Sequence, residues 1–250
     1  MTLVTGGDAV VTDKGADTME CRILLSEWLP IWECLGLRYI PAEPIGSATV
    51  AEWIDTIDGK SSRAVEAAMS EAARTEPGYM VRWDCCAGWA IKRQMSDLGE
   101  AEDRWPDTID DPRLCDILFD CAGIYGVERK ISLYRRPWVQ ALMVDGWPLE
   151  FRCYYSDRDL QGVSSYYPQR PLPERYEAHA QVLVDLTDPL VGAGARDFSA
   201  DWLYPDDGGK PLLIECGPPH ERGAHPCCFK PGEIRGIALV DRNEHRGFEL

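Results

Sequence analysis

No stretch of the chain approaches the roughly 18 consecutive apolar residues that a membrane-spanning helix requires, so membrane insertion is not expected. G-x-G-x-x-G and G-x-x-x-x-G-K-[ST] are also missing, which leaves dinucleotide-binding and P-loop readings without support. Positive charge is scarce: Lys and Arg total 26 against 42 Asp and Glu, for a net charge of −16 and a pI near 4.6. The summed field repels nucleic-acid phosphates and anionic membrane faces, so broad binding to either is not expected. Any anionic ligand must be held by a local cationic pocket. Met1 to Asp17 lacks the basic-then-apolar order of a secretion signal, and residues 1–18 read as a flexible leader. No internal repeat is visible.

What the chain does have is enough apolar residues, 45% of 250, to bury a substantial core in one large domain or two intimately packed lobes. Ten cysteines are present, including the adjacent pairs Cys85–Cys86 and Cys227–Cys228, and sequence neighbours rarely bridge to each other. Most lie in apolar runs, where a reduced thiol behaves as a small hydrophobe. This usage predicts a reducing, cytoplasmic location.

Residues 19–40 are dense in Leu, Ile and Trp and read as core for an N-terminal lobe, with Pro30 as a breaker. Helices are expected over 50–59, over 61–74 with Ser61 or Ser62 as cap, and over 113–122. A short strand is expected at 79–83. From residue 137 the pattern turns to β, with strand-like runs in PWVQALMV, LEFRCYY and LQGVSSYY. A helix over 174–186 carries Tyr176, Ala180, Leu183 and Val184 on one stripe, and strands follow at 198–204 and 211–215. The order implies an α+β fold rather than a doubly wound parallel sheet. The nine tryptophans, scattered through both halves, read as core and interface anchors.

Between the last two strands lies PDDGGKP, a strong hairpin-turn signal. If Pro205 faces Pro211, Asp201 falls directly opposite Glu215 on the same face. Two like charges there are destabilising unless compensated, and a hard, oxygen-liganded Mg2+ arriving with nucleotide phosphates would compensate them. In the competing reading the register differs by one residue and one side chain meets solvent. Arg152 alternates with Phe151 and Cys153, so its fork faces a cleft, suited to phosphate oxygens, or faces water beside Glu150. In YMVRWDCCAGWAIK, Arg82 and Lys92 flank a small-residue turn and can fold over a polyphosphate, or can be ordinary exposed charges around a core strand.

Taken together, Ser26–Pro30, Arg82 with Asp84, Cys115–Phe119, Glu150–Cys153, Asp201 and Ile214–Glu215 with Pro218 resemble the ATP-grasp superfamily, and within it the cell division cycle protein 123 family, over residues 21–219. The resemblance implies a nucleotide clamped between two α+β lobes: a helical segment and smaller lobe at 19–136, and a larger antiparallel-sheet lobe at 137–250 with a Pro/Cys/His-rich tail. It places adenine against a hinge strand, Trp138 to Met143, where Gln140, Ala141, Leu142 and Met143 would read the base. Arg82 matches the family's phosphate lysine, Lys92 is a second cation, Arg152 matches the phosphate arginine with a catalytic role, and Asp201 and Glu215 match the Mg2+ carboxylates. The sequence departs from the family at Gly217, where Asn is usual, and at Tyr166 and Tyr167, where charges are expected. The departures bear on the chemistry more than on nucleotide binding.

Two roles follow from the resemblance, both with ATP and Mg2+ as cofactors. One is an ATP-dependent ligase that joins a carboxylate, through an acyl phosphate, to an amine or thiol of an unknown small acceptor. The other is an ATP-dependent assembly chaperone, the closer family serving the translation initiation factor that carries initiator tRNA. The alternative is a non-catalytic protein-interaction domain with structural zinc at Cys216, His220, His225, Cys227 and Cys228, although that spacing matches no standard finger. His179 reads as a surface residue, and Arg129, Lys130, Arg135 and Arg136 either border the nucleotide mouth or form a solvated basic connector.

Overall fold

Thr49 ends one strand and begins a helix. Its hydroxyl accepts from the Glu52 amide while the Glu52 carboxylate accepts from the Thr49 amide, a reciprocal capping box. The strand is β1 (Glu43–Thr49) and the helix α2 (Val50–Ile57), preceded by α1 (Leu25–Cys34). Ser62 caps the next helix, α3 (Arg63–Ala72), whose Val65, Ala68 and Ala72 are buried as the spacing predicts. These elements belong to a computed structural model that describes residues 22–86, 112–220, 224–230 and 232–242. The expected leader lies outside the described residues.

After β2 (Tyr79–Trp83) and α4 (Pro112–Tyr125), β3 (Lys130–Pro137) runs between β1 and β2, antiparallel to both. α3 lies against β1, and Gly46 is required there: a Cβ would stand 2.6 Å from the Ala68 Cα. The core of this sheet gathers Trp53, Trp83, Ile131, Leu133, Leu114 and Leu118. The basic cluster is therefore not a connector. Lys130, Arg135 and Arg136 lie on the central strand, and their positive charge hides the alternation of Ile131 and Leu133.

The second sheet has the order β10-β7-β6-β8-β9, with β6 (Glu150–Ser156), β7 (Asp159–Ser165), β8 (Phe198–Leu203), β9 (Leu212–Gly217) and a parallel edge strand β10 (Gly236–Ala238). Helix α5 (Glu177–Gly192) covers one face, running past the expected end at 186 with Pro189 inside it. Phe151, Cys153, Tyr155, Phe198, Ala200, Trp202, Leu213 and Cys216 form the core beneath it. α1 packs there too. Leu25, Trp28 and Trp32 join this second core rather than the smaller sheet's, and Pro30 sits inside the helix instead of breaking it. The helix loses one bond at Pro30, while its buried tryptophan face holds the segment in place.

The expected hinge strand 138–143 is not one strand. β4 (Met143–Val144) and β5 (Trp147–Pro148) make a small hairpin, and Ala141 forms an isolated bridge with Pro205. Among the described residues no helix is long and apolar enough to cross a membrane, and nine cysteines are free thiols.

Candidate functional site

Four strands bring a polar row together on the face of the second sheet opposite α5. Ser164 of β7 pairs with Arg152 of β6, Arg152 with Asp201 of β8, and Asp201 with Glu215 of β9. Alternation explains the row, because the intervening Phe151, Cys153, Trp202 and Cys216 point into the core. Arg152 does not pair with Glu150 or look into water. Its Nε and Nη2 donate to both Asp201 oxygens at 2.6 and 2.7 Å, a bidentate pair with both side chains buried. Burial pulls this guanidinium down, but Asp201 outweighs that and holds it well above its ordinary value.

Arg82 reaches across from the smaller sheet, its Nη2 donating to Glu215 Oε1 at 3.0 Å. It too is buried, and Glu215 more than offsets the desolvation. The compensation that the sequence argument assigned to a divalent ion is thus supplied by two arginines. Lys92 and the turn after Cys86 lie outside the described residues.

The register also differs from a regular hairpin. Asp201 faces Glu215 as expected, yet Trp202 faces Leu213 and Leu203 faces Leu212, so Ile214 is an extra residue in β9. Pro205 bridges Ala141 rather than standing opposite Pro211. At the expected adenine stretch the Gln140 carbonyl accepts from the Asp206 amide at 3.0 Å, and the Leu142 amide donates to the Tyr204 carbonyl at 2.7 Å. Beyond Met143 a cavity of about 170 Å3 opens, lined by Val144, Trp147, Ser165, Tyr167 and Arg170.

Tyr166 and Tyr167 fill the places where charges were expected. The Tyr166 ring lies 4.9 Å from the Arg152 guanidinium carbon, and the Tyr167 hydroxyl donates to Glu150 at 2.9 Å. The tail closes the row at the β6–β7 end. Tyr154 donates to the His225 carbonyl at 2.8 Å, and the Cys228 amide donates to the Ser164 hydroxyl at 2.9 Å.

The zinc alternative fails on sidedness. Cys216 lies in the core under α5, whereas Cys227 and Cys228 pack with Tyr154 and Phe229 on the opposite face. His225 Nδ1 accepts from the Cys227 amide at 2.9 Å, and among the described residues no group of three or more His, Cys, Asp or Glu is placed to hold an ion. His179 is half-buried against the Tyr176 and Tyr204 rings.

Sequence reasoning named Arg136 only as one of a basic cluster and missed its own role. Arg136 is 2% exposed, and its Nη1 and Nη2 donate to the carbonyls of Ile214 and Ile40, each at 2.7 Å. Burial and the nearby Arg82 push it down to about 9, so it stays charged at neutral pH. Nothing in the local composition separates it from Arg129 and Arg135, which are half-buried, or from the exposed Lys130.

A small sheet and a larger, mostly antiparallel sheet thus meet at a seam of arginines and carboxylates. No protein-family model and no curated protein matches the sequence. Among solved structures, Cdc123 from Schizosaccharomyces pombe superposes with a TM-score of 0.59 at 15% identity, covering 87% of this chain and 95% of that one. Its C-terminally truncated form gives 0.58 at 16% identity with the same coverage. A RimK domain ATP-grasp protein from Sphaerobacter thermophilus gives 0.38 at 11% identity, over 78% of this chain and 58% of that one. The chain has the Cdc123 fold.

Proposed function

We propose that this protein binds Mg2+-ATP at the seam between the two sheets and that the nucleotide orders a surface for a partner protein. The observation that carries the reading is the facing pair Asp201 and Glu215, each held by an arginine, one from each sheet. The donor set fits the group: two carboxylates on adjacent strands suit a hard cation, and two buried forks suit phosphate oxygens. Asp201 and Glu215 would hold Mg2+, while Arg82 and Arg152 would turn to the phosphates. The cation would neutralise phosphate charge. Adenine would lie beside Gln140, Ala141, Leu142 and Met143, with Ala141 and Met143 reading the base where the Gln140 carbonyl and Leu142 amide are already engaged.

Gly217 favours binding over group transfer, because no side-chain donor stands at that position to complete a second cation site. The ligase reading, in which Arg152 would stabilise a transferring phosphoryl group, keeps the same nucleotide site. Titration with ATP in Mg2+ tests the shared part. ADP formation with mixed carboxylates and amines separates the two roles: sustained turnover establishes the ligase and removes the binding-only reading. The cytoplasmic location and the lobe boundary near residue 137 belong to the same proposal.

A further inference from the structure

The bulge in β9 is what sets Glu215 opposite Asp201. Continued without interruption, the ladder of Leu203 with Leu212 and Trp202 with Leu213 would bring Ile214 to Asp201 and turn Glu215 to the other face. The core confirms the insertion, since Leu213 and Cys216, three positions apart, both lie under α5. An inserted residue needs its backbone satisfied from outside the ladder. At Ile214 that partner is Arg136, from the central strand of the other sheet. Its second nitrogen takes the carbonyl of Ile40, where the short segment that pairs with Leu213 ends. A planar fork with parallel donors spans two carbonyls in this way, and a lysine ammonium does not.

We propose that Arg136 is a positioning residue that pins the Ile214 bulge and so fixes Glu215 across from Asp201, coupling the smaller sheet to the carboxylate pair. Its role in metal binding rests on Asp201 and Glu215 being the Mg2+ ligands; its role in the bulge does not.

The test compares wild type, Arg136→Lys and Arg136→Met by amide hydrogen exchange and by ATP affinity with and without Mg2+. Arg136→Met is expected to lose protection at residues 214–216 and to reduce the Mg2+-dependent gain in ATP affinity by about tenfold or more. Arg136→Lys falls between. Deleting Ile214 in the Arg136→Met background removes the bulge and returns Glu215 to a position opposite Asp201 in a regular ladder, so it restores the gain. Unchanged protection at 214–216 in Arg136→Met, or no recovery on deletion, overturns the proposal. A wild type with no Mg2+-dependent affinity removes the functional reading, and the exchange pattern still decides the role of Arg136 in the bulge.

Discussion

Arg152 and Asp201 face each other across β6 and β8 and share two hydrogen bonds of 2.6 and 2.7 Å in a buried setting. Taking away one partner strands the other charge out of water. Arg152→Met is expected to cost about 3–5 kcal/mol in urea unfolding, and the double variant Arg152→Met/Asp201→Leu to recover most of it. A single-variant cost no larger than a surface substitution's would contradict this pairing.

Asp84 caps α1 from another element. Its Oδ1 accepts from the Ser26 amide at 2.7 Å and its Oδ2 from the Ser26 hydroxyl at 2.9 Å, which ties the start of α1 to the end of β2. Burial raises this carboxyl above 3.8, so the folded state binds its proton more tightly than the unfolded chain does. Its contribution to stability is greatest below that value and declines as pH rises through the folded value. Asp84→Asn keeps an acceptor for Ser26 and is expected to cost about 1 kcal/mol less than Asp84→Ala in thermal unfolding.

The sequence marks much of this fold and misses the rest for physical reasons. α2 and α3 are legible because Thr49 and Ser62 cap them and their apolar residues recur at helical spacing. β3 is not, because Arg135 and Arg136 interrupt its pattern to serve an ion pair with Glu43 and the backbone of β9. The Asp201–Glu215 pairing expected from the turn is present for a different reason: Pro205 does not stand opposite Pro211, and the Ile214 bulge, which shows in the sequence only as the three-residue spacing of Leu213 and Cys216, restores the match. Pro30 misleads, since tertiary burial of Trp28 and Trp32 overrides a local breaker.

Gly162 admits the tail. A Cβ there would stand 2.7 Å from the Phe229 ring and 2.9 Å from the Gly236 carbonyl. Gly162→Ala is expected to cost about 1–3 kcal/mol and to raise exchange at residues 224–229 while leaving β8 protected. Unaltered exchange there would contradict the packing.

The buried thiols resist ionisation. Desolvation pushes Cys153 and Cys228 up to about 12 and Cys227 up to about 11, from an ordinary value of 9.0. Their folded values lie above the unfolded one, so stability is intact below pH 9 and falls as pH rises toward 12. Among the described cysteines, native alkylation at pH 8 should mark the exposed Cys34 and spare these three, with all reacting after denaturation. Labelling of Cys153 in the native protein at a rate comparable to Cys34 would refute this.

The account stands most directly on how ATP affinity depends on Mg2+. Isothermal titration with and without Mg2+ is expected to show affinity rising by about tenfold or more in the wild type, and that gain vanishing in Asp201→Asn and in Glu215→Gln, where the amide oxygens still accept from Arg152 and Arg82. Equal affinity with and without the cation, or a gain that survives both substitutions, would contradict the assignment of these carboxylates.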